Sequence, residues 1–159
     1  MELSFIQLIL AILPESLLIS YVGLGLLGIR VKMVDYIKIS VIYIFFLVII
    51  RNIFKLYGLH VILGFLFFVV LFKIIVKVDW HISIISSLVG YIISFLGEVL
   101  IMPPILDWLK LDLVRIFNGN LIKFLVFFYL AKLPLMIAAI LIYLCDFSII
   151  SIDREMENL

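Results

Sequence analysis

The stretch that decides the fold is HISIISSLVGYIISFLGEVLIM, residues 81–102. It is apolar over about the 20 residues that a helix needs to cross the hydrocarbon core of a bilayer. Within it, the residues at every fourth position share one helix face, and they are Ser86, Gly90, Ser94 and Glu98. Small residues at this spacing let helices approach closely in lipid, so this face is predicted to contact protein. For Ser86, Gly90 and Ser94 we favour a role in helix packing alone.

Four further apolar stretches flank this one, at residues 3–29, 36–54, 56–78 and 121–146. The chain is 67% hydrophobic and 14% charged, whereas a soluble domain is about half apolar and about a quarter charged. We therefore predict an all-α integral membrane protein, a bundle of about five transmembrane helices. Residues 1–150 would form a single transmembrane domain, and residues 151–159 a short cytoplasmic polar tail.

The segment between the fourth and fifth stretches, residues 105–118, has a different character. Its charged residues fall on one side of a helix and its apolar residues on the other; the charges are Asp107, Lys110, Asp112 and Arg115. This pattern predicts a short helix that lies in the membrane interface before the last span. The alternative is an irregular hairpin loop. Pro103 and Pro104 are expected to end the fourth span.

Lysine and arginine residues near the span ends indicate the orientation, because cytoplasmic loops carry an excess of both. The first connection holds Arg30 and Lys32, and Lys38 follows at the start of the second stretch. This favours a protein of the cell membrane with its N-terminus outside and, after five spans, its C-terminus in the cytoplasm.

Ionisable residues within the spans are the candidate site. Glu15 and Lys132 lie near the middle of the first and fifth spans, Glu98 in the outer part of the fourth, and Arg51 and His60 near the outer ends of the second and third. A charge at the bilayer centre costs about 2.5–3.5 kcal/mol on insertion scales, so such groups face protein or water and often carry function. The five residues are predicted to form a ligand-binding or signalling cluster. A purely structural ion-pair network is the alternative.

Depth and sign predict which of these charges pair. Glu15 and Lys132 are opposite in sign and similar in depth, as are Glu98 and Arg51. Pairing would offset part of the cost of removing each charge from water.

Two prolines stand beside the deep charges. Pro14 cannot donate to the carbonyl of Leu10, and Pro134 cannot donate to that of Leu130. Each helix is therefore predicted to kink, and kinks beside charges indicate a polar or hydrated cavity.

Several short motifs carry a resemblance to a known family. They are Leu13-Pro14-Glu15, residues 21–28, Arg51, Gly58-Leu59-His60, Gly97-Glu98 and Pro103-Pro104. Over nearly its whole length the chain resembles a multi-spanning bacterial membrane domain that occurs on its own and as the N-terminal sensor region of some histidine kinases. The resemblance implies a domain that receives a signal for a kinase. This sequence has no phosphorylatable-histidine region and no ATP-binding glycine motif, so we do not expect it to phosphorylate a partner itself.

These observations favour a non-catalytic, sensor-like or regulatory membrane module that acts through a partner. The alternative is a small-solute or ion transporter, or its membrane subunit. A cysteine peptidase that uses Cys145 and His81 is a distant third, since no local motif surrounds either residue. We expect no enzymatic activity, no cofactor and no metal.

The expected partners are the lipid bilayer and either a cytoplasmic kinase or regulator or a transporter subunit, and the sequence is compatible with a homo-oligomer. A formal net charge of +1 and the lack of a basic tract exclude nucleic acid.

Overall fold

The computed structural model describes residues 5–53, 59–110 and 121–149, and all regular structure in these ranges is helical. The α-helices are α1 (Phe5–Gly25), α2 (Met33–Val48), α3 (Leu59–Leu71), α4 (Trp80–Leu100), α5 (Met102–Leu109), α6 (Leu121–Ala131) and α7 (Leu133–Cys145). Helices α2 and α3 each continue into a π-helical turn, Ile49–Ile53 and Phe72–Val76.

Three helical segments are long and apolar enough to cross a membrane, namely Met33–Arg51, Leu59–Val76 and Trp80–Trp108. A fourth span results if α6 and α7, which meet at a bend of 58°, are counted as one segment. Helix α1 adds a shorter apolar helix, Ile9–Gly25. The described residues thus contain three or four candidate spans, which support a membrane location. Of the predicted first span, residues 3–29, the candidates include only the shorter helix Ile9–Gly25, so five spans are not shown.

Helix α1 lies at the centre of the bundle and packs against α2, α4 and α7. Its contact with α4 is a contact between main chains. A Cβ atom on Gly90 of α4 would lie 2.7 Å from the carbonyl oxygen of Ile19, and one on Gly23 of α1 would collide with the carbonyl oxygen of Ser86. Ser86, Gly90 and Ser94 are all buried. Small residues on both helices therefore allow the close approach.

One end of the bundle holds the α1–α2 and α3–α4 connections together with the residues after α7. We call it the Arg30 end. Arg30 forms an ion pair with Asp146, and the amide of Ile149 donates to the carbonyl of Leu26 at 2.7 Å. Gly28 has a φ of 76°, a backbone conformation that favours glycine in this turn. The opposite end, where α2 and α4 finish, is the Arg51 end.

Helix α4 ends at Leu100, two residues before the predicted end of the fourth span, but the apolar segment does not stop at Pro103 and Pro104. Both prolines lie in the first turn of α5, and α4 and α5 together form one apolar segment of 29 residues, Trp80–Trp108. Proline is tolerated there because the first amides of a helix have no partner within it. The predicted interfacial helix therefore begins as part of this segment. Its residues 111–118 lie outside the described residues, as do the tail at 151–159 and the predicted turn around 55–58.

Candidate functional site

Lys132 stands at the break between α6 and α7. Its backbone has φ of −92° and ψ of 7°, and its amide donates to the carbonyl of Tyr129 at 3.1 Å. Pro134 follows two residues later and cannot donate a helical hydrogen bond. The kink that Pro134 predicts is confirmed by the 58° bend. The bend leaves the Lys132 side chain only 2% exposed, at the centre of the bundle.

The ammonium of Lys132 joins three helical segments. Its Nζ lies 2.5 Å from Oε1 of Glu15 on α1 and 2.7 Å from Oγ of Ser94 on α4, and it forms an ion pair with Glu98, also on α4. The Ser94 hydroxyl in turn donates to Glu15 at 3.3 Å. A lysine ammonium has three donors, and three acceptors surround it here. The predicted pair of Glu15 and Lys132 is therefore confirmed.

The predicted pair of Glu98 and Arg51 is wrong, because Glu98 bonds to Lys132 instead. Gly97 explains this. A Cβ atom there would collide with the carbonyl oxygen of Ala131 and lie 2.9 Å from Cδ of Pro134. The broken helix thus rests directly on the main chain of α4, which places Lys132 beside Glu98. Two carboxylates share one ammonium as a result.

Helix α1 continues through Pro14, and the carbonyl that this proline leaves without a helical donor has another partner. The Tyr129 hydroxyl on α6 donates to the carbonyl oxygen of Leu10 at 2.8 Å. Water cannot satisfy a backbone acceptor inside the hydrocarbon region, so a side-chain donor takes the place of the missing amide. Sequence reasoning did not identify Tyr129. The available signal was its position one turn before Lys132.

A cavity of about 170 Å³ lies beside this cluster. It is lined by four of the five residues predicted as the ligand-binding or signalling cluster, Glu15, Arg51, His60 and Glu98. The fifth, Lys132, bonds to two of them. The other lining residues are Ile12, Ile19, Tyr43, Leu47, Val61, Tyr91, Ser94 and Phe95. Ser94, which we assigned to packing, therefore belongs to the polar site as well.

Two tyrosines that sequence reasoning did not assign form the inner wall of the cavity. The hydroxyls of Tyr43 and Tyr91 are hydrogen-bonded at 2.7 Å. Gly64 of α3 lies against both, since a Cβ atom there would be 2.6 Å and 2.8 Å from the two hydroxyl oxygens. The pattern that could have revealed Tyr43 is the buried face of α2, on which Tyr36 and Ser40 precede it at helical spacing.

The cavity extends from this tyrosine pair toward the Arg51 end. At about 1.5 Å per residue, Glu98 lies about 10 Å beyond Tyr91 along α4, and Arg51 about 12 Å beyond Tyr43 along α2. The Glu15 side chain is 22% exposed and that of Glu98 is 44% exposed. The exposed fraction of the side chain therefore increases from the buried tyrosines through Glu15 to Glu98.

A second cavity, of about 550 Å³, lies between α1, α2 and α7. It is larger, but no acidic or basic side chain lines it. Its lining residues are Leu17, Leu18, Tyr21, Met33, Tyr36, Met136, Ala139, Ile140 and Tyr143. The charged groups that could orient a polar ligand are in the smaller cavity.

The remaining candidates from the sequence lie elsewhere. Cys145 ends α7, His81 lies in the first turn of α4, and both are exposed. Neither lines the polar cavity. In the part of the chain that the structure describes, no group of three or more His, Cys, Asp or Glu side chains could hold a metal ion.

Comparison of this chain with known protein families, curated proteins and solved structures finds no match. The resemblance to a bacterial sensor domain therefore stays a prediction.

Proposed function

We propose that this chain is a non-catalytic, sensor-like or regulatory membrane module that binds a small polar solute and acts through a partner protein. The observation that carries the proposal is the cavity of about 170 Å³, to which four helical segments contribute ionisable side chains, Glu15, Arg51, His60 and Glu98. Ionisable groups at membrane depth often mark a ligand or ion site.

The distribution of charge favours a binding site over a structural ion-pair network. In such a network each charge contacts an opposite charge and is fully hydrogen-bonded, because an unpaired buried charge is costly. Here two carboxylates share the ammonium of Lys132. Arg51 lines the same cavity and forms no ion pair with any residue that the structure describes. A polar solute could satisfy both the carboxylates and the guanidinium.

The route from the cavity to a partner would be α7. Lys132 lies at the N-terminal end of this helix, next to the cavity. Asp146 follows the last residue of the helix and pairs with Arg30. A solute that competes for Glu15 and Glu98 would change the position of Lys132 and hence the bend between α6 and α7. With five spans and the N-terminus outside, the Arg30 end faces the cytoplasm, where a kinase or regulator would bind.

The broken helix favours a transporter as the second candidate. Helices that are interrupted near the middle of the membrane, beside ionisable groups, form the substrate sites of many transporters. The break at Lys132, in contact with Glu15 and Glu98, has this character.

Ligand retention and flux distinguish the two candidates. The full chain in lipid nanodiscs would be exposed to the small-molecule fraction of a cell extract, and the retained compounds identified by mass spectrometry. We expect at least one compound to be retained by wild type and by the control Lys123→Gln, an exposed position outside the cavity, and to be lost from Arg51→Gln.

The retained compound would then be tested for uptake into sealed vesicles that contain the protein. A sensor binds it without flux. Uptake that depends on Glu15 or Lys132 would favour the transporter, and equal retention by wild type and Arg51→Gln would contradict a binding role for the cavity.

A further inference from the structure

We propose that the polar cavity takes a small zwitterion, a molecule with one ammonium group and one carboxylate. This inference rests on the proposed binding function and names the chemical class of the solute.

The first reason is the balance of charge. The cavity is lined by two carboxylates, Glu15 and Glu98, and one guanidinium, Arg51. The ammonium of Lys132 is bonded to both carboxylates. These four charges sum to zero, and His60 adds a charge only when it is protonated. A ligand with a net charge would leave one charge uncompensated in a medium of low dielectric constant, which is unfavourable. A zwitterion leaves the total unchanged.

The second reason is where the charges lie. The carboxylates are on α1 and α4, whereas Arg51 is on the π-helical turn that ends α2. Each carboxylate has about four acceptor positions, so the contacts with Lys132 leave capacity for a ligand ammonium. The planar guanidinium of Arg51 suits a carboxylate, to which it can donate two parallel hydrogen bonds. The two ends of a zwitterion therefore meet opposite charges on different helices.

The third reason is size. Since a water molecule occupies about 30 Å³ in the liquid, the cavity of about 170 Å³ has the volume of roughly five or six waters. That is room for a small amino acid. The hydrogen-bonded hydroxyls of Tyr43 and Tyr91, with Gly64 against them, close the inner end and limit the length of the ligand.

Calorimetry on the full chain in nanodiscs tests the proposal with four probes. Glycine and 4-aminobutyrate are zwitterions of two lengths, and propylamine and propionate each carry one of the two charges. We expect at least one zwitterion to bind about tenfold more tightly than either singly charged probe. Arg51→Gln should weaken zwitterion binding by about tenfold. It leaves the site with a net negative charge, so propylamine should bind at least as tightly as to wild type, and Lys123→Gln should match wild type with every probe. If Arg51→Gln does not fold, Arg51→Lys keeps the charge, loses the planar fork and should show a smaller loss.

A singly charged probe that binds as tightly as the zwitterions would overturn this inference, as would zwitterion binding that is unchanged in the Arg51 variants. If no probe binds while an extract compound without this pair of charges is retained by wild type and lost from Arg51→Gln, the zwitterion class is wrong and the binding function stands. If neither the extract nor any probe yields a ligand, both are wrong.

Discussion

The two halves of one helix face on α4 have different roles. Toward the Arg30 end, Ser86 and Gly90 rest against the main chain of α1. The Ser86 hydroxyl is buried and has no hydrogen-bond partner in the described part of the chain. Toward the Arg51 end, Ser94 and Glu98 continue the same four-residue spacing, yet both bond to the ammonium of Lys132.

This difference shows that the spacing of small residues does not by itself fix their role. What decides it is the group that the neighbouring helix presents. A main-chain carbonyl of Ile19 lies against Gly90, so only the small size of the α4 residue matters there. A buried ammonium lies against Ser94, so its hydroxyl matters as well. We call Ser86 and Gly90 the packed half of this face, and Ser94 and Glu98 the polar half. The packed half holds α4 against α1 and thereby positions the polar half.

The largest expected effect comes from the polar half. Lys132→Met leaves Glu15 and Glu98 without their shared cation. Glu15→Gln removes one of the two ion pairs of Lys132. Removing one partner of a buried pair costs about 3–5 kcal/mol. We expect Lys132→Met to lose that much unfolding free energy and Glu15→Gln less, because Glu98 still pairs with the ammonium. The double variant should recover part of the loss, and Glu98→Gln added to it should recover more.

A double-mutant cycle on unfolding in detergent measures the coupling of Glu15 and Lys132. Lys123→Met is the matched control, because this lysine lies on α6 and is exposed. A coupling energy near zero would show that the two groups do not stabilise each other. Recovered stability with lost solute binding would assign the pair to function.

Much of this arrangement could be predicted from the sequence. Apolar runs placed the helices, and depth with opposite sign was enough to pair Glu15 with Lys132. The same reasoning failed for Glu98 and Arg51, because depth says nothing about the direction in which a side chain leaves its helix. That direction depends on the close approach of Gly97 to Ala131, a contact between residues distant in sequence.

The tyrosine pair shows a second limit. Tyr43 and Tyr91 lie in apolar runs and add to the hydrophobic pattern of their spans, so their hydroxyls gave no separate signal. They became part of the site only because α2 and α4 face each other across Gly64. Similarly, Pro103 marks a helix boundary in sequence, but whether the chain continues in the same direction depends on how α5 packs.

A smaller effect is expected from the packed half. Gly90→Ala adds a Cβ atom that would lie 2.7 Å from the carbonyl oxygen of Ile19, so α1 and α4 must separate. Such overpacking costs about 1–3 kcal/mol. Leu88→Ala creates the same residue two positions away on an exposed face, where Leu88 is 47% exposed. We expect it to change the unfolding free energy by about 0.5 kcal/mol or less. Equal thermal stability of the two variants in detergent would mean that the contact with α1 is not tight.

The smallest expected effect comes from the most direct comparison of the two halves, in which the same change, serine to alanine, is made in each. Ser94→Ala removes a hydroxyl that accepts from Lys132 at 2.7 Å and donates to Glu15 at 3.3 Å. The ammonium keeps its two carboxylates, so the loss should be close to that of one hydrogen bond, about 1 kcal/mol. Ser86→Ala removes a buried hydroxyl without a hydrogen-bond partner among the described residues. Since such a group costs free energy to bury, this variant should be neutral or slightly more stable.

Both changes remove a single oxygen and create the same side chain, so differences in size and helix propensity cancel. Unfolding of the two variants in the same detergent gives the comparison directly. A loss for Ser86→Ala equal to that for Ser94→Ala would show that the packed half also depends on its hydroxyl. The assignment of one half of this helix face to packing and the other to charge binding would then be wrong.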